Sequence, residues 1–438
     1  MKKVFIDTLG CAKNEYDSQM LAASLIERGC VMISDTDEAD ILIVNTCGFI
    51  EDAKKESIER IFELAEERGE KKKLVVTGCL SERYHRELAE EMPEVDLFFG
   101  VNDYDSLPDI LLADETEDSA DRVGSETDML PYRSRDFDNC THYGYLKIAE
   151  GCNNNCSFCA IPLIRGHFRS KKIEDCIAEA RDMAEAGIKE LILIAQDTSQ
   201  YGRDLYGEVR LTELLHRLCE VEGIEWIRLM YVYDNGITDE LIEAIANEPK
   251  ICKYIDMPIQ HVSDSVLKGM RRRSSGDSIR AVIKKLRDRI PDVHIRTTLL
   301  VGFPGETQAD IDELLDFIDS YEIDRLGAFA FSDEEGTPSF DMDGKVPEED
   351  RIERRDLVMQ HQLAVSEELN GRKIGKVYEV IVDECLAPYL YSGRTRFDAP
   401  EIDCAVTFST DRPELGPGDI VNVRITDAFE YDLEGVEV

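Results

Sequence analysis

Short, continuous apolar runs alternate with longer amphipathic segments along most of this 438-residue chain, and few folds accommodate such a pattern. In the first part of the chain the apolar runs cover residues 4–6, 41–44 and 74–76, and amphipathic segments such as 18–28 and 52–68 separate them. Continuous apolar runs are typical of parallel strands that helices cover on both faces. We therefore predict an open α/β domain over residues 1–117, followed by a polar linker.

The alternation returns between residues 138 and 368. Six candidate strands cover residues 145–148, 191–195, 226–230, 254–256, 294–300 and 325–331. A closed barrel of this kind needs eight such units and about 250 residues, so the six units predict a partial (β/α)6 barrel. A single long helix is predicted to follow it over residues 353–369.

The final segment, residues 370–438, has a different character. Its candidate strands are short and are separated by Pro and Gly; they cover residues 377–382, 390–396, 405–408 and 420–425. This pattern is typical of a small antiparallel β-barrel. The chain is therefore expected to be an α/β protein of three domains, with limits at 1–117, 138–368 and 370–438.

Charge restricts the possible partners. The chain has 92 acidic and 51 basic residues and a formal charge of −41, which disfavours general nucleic-acid binding and favours a basic partner. Residues 371–438 contain 14 acidic and 7 basic side chains, whereas a barrel that binds RNA is expected to be basic. We therefore expect the acidic residues of this segment, including Glu401 and Asp403, to face a basic protein.

The sequence also predicts a compartment. The apolar run before Asp7 is too short for a secretory signal, and no run approaches the ~18 residues of a membrane span. We therefore expect a cytoplasmic protein without membrane attachment. Disulfides are rare in that reducing compartment, so some of the 13 cysteines are expected to be ligands or catalysts.

One cysteine motif stands directly after the first strand of the predicted partial barrel. Cys152, Cys156 and Cys159 are close enough in sequence to surround one face of a compact cluster, and they supply three of the four ligands of a cubane iron–sulfur centre. The iron without a protein ligand is then free to bind a substrate or cosubstrate. The alternative is a zinc site with His167 as the fourth ligand.

This motif, with Phe158 before its third cysteine and a partial barrel behind it, resembles the radical S-adenosylmethionine enzymes. The resemblance implies that the three cysteines hold a [4Fe-4S] cluster, which cleaves S-adenosyl-L-methionine to a 5′-deoxyadenosyl radical. It also implies that Phe158 packs near the adenine. Gln196 follows a barrel strand at its carboxyl end, where active sites of such folds lie, and is a candidate contact of the cosubstrate.

A second cysteine trio lies in the first domain. Cys11, Cys47 and Cys79 each follow a predicted strand, and the carboxyl ends of parallel strands meet at one edge of a sheet. Each cysteine has a glycine neighbour (Gly10, Gly48 and Gly78), which allows the backbone close to a bulky ligand. The alternative is that these are small buried cysteines without ligands.

Two such trios ahead of a β-barrel tail resemble the methylthiotransferases, whose order is an N-terminal methylthiotransferase domain, a radical core and a TRAM domain. The resemblance implies two [4Fe-4S] clusters, two S-adenosyl-L-methionine molecules per turnover, a reducing electron donor and a sulfur source. It also implies that Cys11, Cys47 and Cys79 hold the cluster that delivers sulfur.

The segment around the first cysteine indicates the substrate. Residues 9–18 read Leu-Gly-Cys-Ala-Lys-Asn-Glu-Tyr-Asp-Ser, whereas the transfer-RNA enzymes of the family usually carry Gly-Cys-Gln-Met-Asn. The segment resembles the members that methylthiolate the β-carbon of an aspartate in the small-subunit ribosomal protein at the decoding centre, free or within the ribosome. The alternatives are a transfer-RNA adenosine methylthiotransferase and a non-catalytic iron–sulfur protein that binds ribosomes.

Several arginines are candidate contacts of the substrate. Arg165 and Arg169 follow the motif closely enough to be candidates for binding the substrate carboxylate. The arginines at 271–273 are candidates for steering an aspartate carboxylate or for contacting ribosomal RNA. The alternative, which is the commoner one, is that they lie on a solvated helix face.

Overall fold

The computed structural model describes residues 1–69, 71–104, 106–112, 121–124, 127, 130–137, 141–412 and 414–438. Much of the predicted linker lies outside these residues, as do the proposed domain limits at 117 and 138. The chain folds into three units: an N-terminal unit (residues 1–112), a partial barrel (residues 141–371) and a C-terminal barrel (residues 377–438).

The N-terminal unit is an open parallel sheet with the strand order β2-β1-β3-β4-β5, which confirms the predicted open α/β fold. Its strands are β1 Lys3–Thr8, β2 Val31–Met32, β3 Ile41–Thr46, β4 Lys73–Gly78 and β5 Leu97–Phe98. Its helices are α1 Ala12–Glu27, α2 Glu51–Arg68, α3 Cys79–Glu91 and α4 Leu107–Leu112, with a 3-10 turn at Thr36–Glu38.

The central strand β3 explains why this sequence forms a two-sided sheet. All of its residues are buried: Ile41 and Ile43 pack on the side of α1, while Leu42 and Val44 pack on the side of α2. A strand with helices on both faces is therefore apolar along most of its length, and the buried polar residues of β3, Asn45 and Thr46, stand only at its carboxyl end. The edge strands β2 and β5 were not predicted, because two residues are too few to form an apolar run.

The partial barrel has a six-stranded parallel sheet with the order β13-β12-β11-β10-β9-β6, which confirms the prediction of six units. The sheet strands are β6 Tyr143–Lys147, β9 Glu190–Ile194, β10 Trp226–Leu229, β11 Ile251–Asp256, β12 His294–Val301 and β13 Arg325–Ala330. A separate hairpin is formed by β7 Ala149–Glu150 and β8 Arg169–Ser170.

The partial barrel also contains helices, most of which pack on its sheet, whereas the first packs against the N-terminal unit through Ile164. They are α5 Ile161–Ile164, α6 Ile173–Glu185, α7 Arg203–Tyr206, α8 Leu211–Cys219, α9 Asp239–Asn247, α10 Asp264–Gly269, α11 Gly276–Arg289, α12 Gln308–Tyr321 and α13 Glu348–Gly371, with 3-10 turns at Thr198–Gln200 and Asp234–Gly236. Helix α13 begins before the predicted residue 353. Its first turn contains Glu348, Glu349 and Asp350. Their negative charges stabilise the helix, because they lie at the positive end of its dipole.

The C-terminal barrel is closed, with the order β14-β15-β16-β18-β17. Its strands are β14 Val377–Ala387, β15 Leu390–Thr395, β16 Val406–Ser409, β17 Ile420–Ala428 and β18 Leu433–Glu437. The pairs are antiparallel apart from β16 with β18, which run parallel. The predicted small antiparallel barrel is therefore confirmed, although β18 was not predicted.

The C-terminal barrel is packed into the amino-terminal ends of the partial-barrel strands. Arg394 donates to Glu190 over 2.7 Å, and Arg325 donates to Asp398 over 2.6 Å. The expectation that Asp403 faces a basic partner is wrong: its side chain is 2 % exposed and accepts a 2.6 Å hydrogen bond from the Tyr254 hydroxyl, whereas Glu401 is exposed. An acidic composition shows the sign of the charge but not which carboxylates are consumed by internal ion pairs.

Candidate functional site

The second cysteine trio lies where the strand pattern predicted. Cys11 precedes α1, Cys47 follows β3, and Cys79 is the first residue of α3 after β4, so all three lie at the carboxyl edge of adjacent strands. Cys47 and Cys79 are buried and Cys11 is exposed. The strand order reverses between β1 and β3, because β2 lies on one side of β1 and β3 lies on the other. In doubly wound sheets, ligands bind at the carboxyl edge at such a reversal.

Close packing of the loops around these cysteines explains two of the neighbouring glycines. A Cβ atom on Gly10, whose φ is +95°, would lie 2.7 Å from the Cβ of Cys47. A Cβ atom on Gly48 would lie 2.7 Å from the backbone nitrogen of Leu80, directly after Cys79. Real Cβ atoms do not approach so closely, so the three loops can converge only because these positions lack a side chain.

Hydrogen bonds fix the converging loops. The Ser57 hydroxyl accepts from the backbone N–H of Cys47 and donates to its carbonyl, both over 3.0 Å. The amide of Asn14 donates to the carbonyls of Leu9 and Thr46, over 2.8 and 3.0 Å. These bonds hold the ends of β1 and β3 together beside the trio.

The first cysteine motif forms a compact loop after β7. The backbone N–H of Cys152 donates to the Gly166 carbonyl over 3.1 Å, and that of Cys159 donates to the Cys156 carbonyl over 3.2 Å. The backbone N–H of Asn154 donates to the sulfur of Cys152 over 3.4 Å. The loop is therefore shaped by its own backbone, with the three cysteines on a short arc.

Two side chains from the partial barrel contact the sulfur of Cys156. The Tyr233 hydroxyl lies 3.5 Å from it and Nη1 of Arg272 lies 3.9 Å from it. The Arg272 guanidinium also stacks on the Tyr233 ring, at 4.1 Å from its centre. The prediction of a solvated face over 271–273 is wrong for Arg272, which is buried, because the chain folds this residue back onto the cysteine loop.

Burial disfavours the thiolate form at both trios. It raises the pKa of Cys152 to about 11, of Cys159 to about 12 and of Cys47 to about 12. Burial also raises the pKa of Cys79, against the opposing effect of the Arg165 charge. These thiols therefore carry protons that metal binding would release.

The cysteines of both trios are candidate ligands of either a zinc ion or an iron–sulfur cluster. Among the residues that the structure describes, no group of three or more His, Cys, Asp or Glu side chains is arranged to hold a single metal ion, and His167 is exposed. Cysteines that bind different irons of one cluster lie farther apart than the ligands of a single ion. Three thiol side chains at each trio form a donor set that fits an iron–sulfur cluster, for which thiolates are the usual ligands.

Phe158 lies in the loop of the first cysteine motif, and Gln196 follows β9 at its carboxyl end. Phe158 is half-buried and packs against the apolar cluster around Met270 and Phe303. Nε2 of Gln196 donates to Glu150 over 2.8 Å. Its Oε1 is buried and has no hydrogen-bond partner among the described residues, so it can accept a bond from a bound molecule.

A buried ionic network beside the second trio crosses the boundary between the N-terminal unit and the partial barrel. Arg165 donates to Asp17 over 2.5 Å, and Lys147 donates to both Asp17 and Glu150 over 2.5 Å. Arg165 also donates to the sulfur of Cys79 over 3.3 Å. The hypothesis that Arg165 binds the substrate carboxylate is wrong, because its donors are used inside the protein.

The sequence analysis missed this role of α1. Asn14, Asp17 and Ser18 lie on one face of the helix at the spacing that packs against a neighbour, and all are buried. Polar residues at buried helical positions are a signal for partners elsewhere in the chain. Arg169, the other candidate, is also buried and donates to Asn102 over 3.2 Å.

A second connection closes the opposite side of this boundary. Glu334, in the loop after β13, accepts from Arg83 over 2.5 Å and from Lys54 over 3.1 Å. The same loop reaches the cysteine motif, because the backbone N–H of Ser339 donates to the Ser157 carbonyl over 2.9 Å. The N-terminal unit is thus clamped over the carboxyl ends of the partial-barrel strands, with one cysteine trio on each side.

Comparison with known proteins places the three units in known families. Residues 3–100 match Uncharacterized protein family UPF0004, residues 146–318 match the Radical SAM superfamily, and residues 374–438 match the TRAM domain. The chain is 46 % identical, over 99 % of its length and 98 % of the relative, to ribosomal protein uS12 methylthiotransferase RimO of Clostridioides difficile. The protein of that name from Desulforamulus reducens is 45 % identical over 99 % of both chains.

The chain belongs to the RimO family of radical S-adenosylmethionine methylthiotransferases. Membership of the family confirms the resemblance that the cysteine motifs suggested. It also implies the use of an iron–sulfur cluster and S-adenosylmethionine. Among the described residues of this RimO-family chain, no helix has the length and apolar character that a membrane crossing needs.

Solved structures show that the RimO-family fold is shared more widely. The cobalamin- and cluster-bound radical S-adenosylmethionine methyltransferase TsrM from Kitasatospora setae matches with a TM-score of 0.59 at 14 % identity, over 77 % of this chain and 74 % of that one. The cobalamin-dependent radical enzyme OxsB matches with a TM-score of 0.53 at 12 % identity, over 82 % and 56 %. At such low identity these likenesses show the fold alone.

Proposed function

We propose that this chain attaches a methylthio group to the β-carbon of an aspartate in ribosomal protein uS12. The observation that supports this most strongly is the near-full-length identity to relatives whose names state that activity. The two cysteine trios, on facing sides of one domain boundary, supply the donor sets that such a reaction needs. An unactivated C–H bond cannot be deprotonated by a side chain, so the reaction requires a radical.

The proposal assigns each trio a role. One [4Fe-4S] cluster is held by Cys152, Cys156 and Cys159 and, when bound, supplies the electron that cleaves S-adenosyl-L-methionine. The other is held by Cys11, Cys47 and Cys79 and, when bound, supplies the site that delivers sulfur. Two S-adenosyl-L-methionine molecules are used per turnover, one for the radical and one for the methyl group. Phe158 packs beside the adenine, and Oε1 of Gln196 accepts a bond from the cosubstrate.

The chain's own residues position these groups. Arg165 and Glu150 connect the sulfur of Cys79 to Gln196, so both sites are fixed to one buried network. Although burial opposes it, Lys147 and Arg165 hold the pKa of the Glu150 carboxyl below its usual value. Glu150 therefore stays ionised and keeps the amide of Gln196 oriented.

The proposed partners follow from the charge of the chain. A net charge of −41 suits a basic ribosomal protein and is unsuited to transfer RNA. We also propose a cytoplasmic location, a reducing electron donor and a sulfur source. The proposed domains cover residues 1–117, 138–368 and 370–438. Substrate capture is expected to slow as salt rises, because the Debye length shrinks from ~30 Å at 0.01 M to ~8 Å at 0.15 M.

The experiment that tests this function compares small-subunit ribosomal proteins from cells with and without the gene. Intact-mass spectrometry should show uS12 heavier by one methylthio group in place of hydrogen only when the gene is present. Modified nucleosides of transfer RNA from the same cells should be unchanged. An unchanged uS12 together with loss of a methylthioadenosine would favour the transfer-RNA alternative and overturn the proposal.

A further inference from the structure

A lysine lies on the line of contacts between the two cysteine trios. Lys13 follows Cys11 by two positions, and its ammonium nitrogen lies 3.3 Å from the centre of the Tyr231 ring. Tyr231 follows β10 at its carboxyl end, and Tyr233, two residues further, places its hydroxyl 3.5 Å from the sulfur of Cys156. Lys13 and Tyr231 therefore meet in the space that separates the trios.

The charge of Lys13 is not balanced by the protein. Among the described residues, no carboxylate forms an ion pair with its ammonium group. The other lysines of this boundary behave differently, since Lys147, Lys171 and Lys54 are all paired with carboxylates. An ammonium group has three donors and no acceptor, and the face of one ring cannot satisfy all three. The exception matters in a chain that has many more acidic than basic residues.

Other cations near the trios are already engaged. Arg165 is paired with Asp17, and Arg272 stacks on Tyr233 and donates to the carbonyl of Pro258 over 2.8 Å. Of these cations between the two trios, Lys13 is the one with donors left for a further molecule.

Local stability does not explain why a lysine stands here. Lys13 lies in the first turn of α1, where the helix dipole disfavours a positive charge. Its aromatic partner is also held at a cost, because Tyr231 has a φ of +59°, a left-handed conformation that side chains rarely adopt. A 2.9 Å hydrogen bond from the Tyr231 backbone N–H to Asp256 fixes this conformation.

Building on the proposed function, we propose that Lys13 binds the carboxylate of the substrate aspartate and thereby selects aspartate over its neutral analogues. The substrate carbon must lie between the radical source at one trio and the sulfur source at the other. A cation at that place pairs with the carboxylate, while the Tyr231 ring limits where the ammonium group can move. The contact is an ion pair and involves no bond making or breaking by Lys13.

The test measures binding of uS12 to the reconstituted full chain with S-adenosyl-L-methionine, under anaerobic conditions. Two forms of uS12 are compared: the natural protein, and one in which the aspartate modified by the wild-type chain is replaced by asparagine. Wild-type enzyme should bind the natural form about tenfold more tightly. Lys13→Met keeps the length of the side chain but removes the charge, and it should bind both forms equally. Lys13→Arg should retain most of the preference.

Controls separate recognition from a structural role. Lys55→Met removes an exposed lysine of α2 and should leave the preference of the wild-type chain unchanged. Iron content and thermal stability of Lys13→Met should match those of the wild-type chain; a loss of either would show that Lys13 is a structural contact and would overturn the proposal.

The remaining outcomes are also decisive. If the wild-type chain modifies uS12 and Lys13→Met still prefers the aspartate form, the role of Lys13 is overturned while the proposed function stands. If the wild-type chain leaves uS12 unmodified, both are overturned.

Discussion

The partial barrel contacts a neighbouring unit at each end of its strands, and the two boundaries are built from the same materials. At the carboxyl ends, Arg165 and Lys147 pair with buried carboxylates of α1 and β7. At the amino ends, Arg394 of the C-terminal barrel pairs with Glu190 of the partial barrel. In the opposite direction, Arg325 of the partial barrel pairs with Asp398. Removing a charged side chain from water is costly, so each boundary is stable only when every buried charge has an oppositely charged partner.

Both boundaries contain buried polar atoms without a partner among the described residues, such as Nη2 of Arg228 at the amino ends. What distinguishes the carboxyl-end boundary is its cysteines. The carboxyl-end boundary holds both cysteine trios, the unpartnered Oε1 of Gln196 and the unpaired ammonium of Lys13. Its ion pairs hold these groups in place. Ionic networks and unpartnered polar atoms therefore do not by themselves identify a functional site, whereas a set of candidate metal ligands next to such a network does.

The largest effect is expected from removing the cysteines of the first motif. Changing Cys152, Cys156 and Cys159 together to Ala should halve the iron content from about eight atoms per chain and abolish 5′-deoxyadenosine formation, because two cubane clusters would become one. Iron analysis and chromatography of the cosubstrate products measure this. An unchanged iron content would show that these cysteines are not ligands.

The matched pair Arg165→Ala and Arg394→Ala compares the boundaries directly. Each change removes one of the two cations that pair with buried carboxylates, since Lys147 still pairs with Asp17 and Glu150 and Arg228 still pairs with Glu190. Each should therefore lower the free energy of unfolding by up to about 3 kcal/mol in urea denaturation. Only Arg165→Ala should also lower the iron content, since Arg165 contacts the sulfur of Cys79. As a control, Arg86→Ala on the exposed side of α3 should change neither. Equal iron loss in the Arg394 variant would remove the distinction between the two boundaries.

Acid should weaken the amino-end boundary. His294 stacks on Phe397 of the C-terminal barrel, and burial lowers its pKa to about 4. Because its ordinary pKa is about 6.5, the folded state favours the neutral ring, and the stabilisation present above pH 6.5 is lost as the pH falls towards 4. The loss should approach about 3 kcal/mol, measured by denaturation across this range. In His294→Phe, which keeps the stacking, this part of the pH dependence should disappear.

The smallest effect on stability is expected from a pair of glycine substitutions. Gly10 and Gly29 both have positive φ angles, but a Cβ atom on Gly29 meets nothing within 4 Å, whereas one on Gly10 meets Cys47. Gly29→Ala should cost about 1–2 kcal/mol of backbone strain, and Gly10→Ala should cost more, because its Cβ atom also lies too close to Cys47. Gly10→Ala should in addition lower the iron held by the second trio. If Gly29→Ala lowered the iron content equally, strain rather than contact with Cys47 would be the cause.

The sequence predicted the elements whose signal is local. The sheet strands of the partial barrel are apolar runs of sufficient length, and the parallel-strand rule predicted that Cys11, Cys47 and Cys79 meet at one edge. Elements with weaker local signals were missed, among them β2, β5 and β18. The start of α13 was missed because its acidic first turn reads as a loop.

Contacts between distant residues could not be predicted from local patterns. Arg165 and Asp17 are 148 positions apart, and their pairing depends on how two units are docked. The same limitation explains the wrong expectation for Asp403, whose partner Tyr254 is 149 positions away. Composition showed an excess of acidic residues but could not show which of them lie at a boundary.

The most direct test of the central claim incubates uS12, S-adenosyl-L-methionine and a reductant with the variant in which Cys11, Cys47 and Cys79 are all changed to Ala. One mass-spectrometric measurement reports both products. The account predicts that 5′-deoxyadenosine is still formed while uS12 gains no methylthio group, because the radical source remains and the sulfur source is lost. Methylthiolated uS12 formed by this variant would contradict the account.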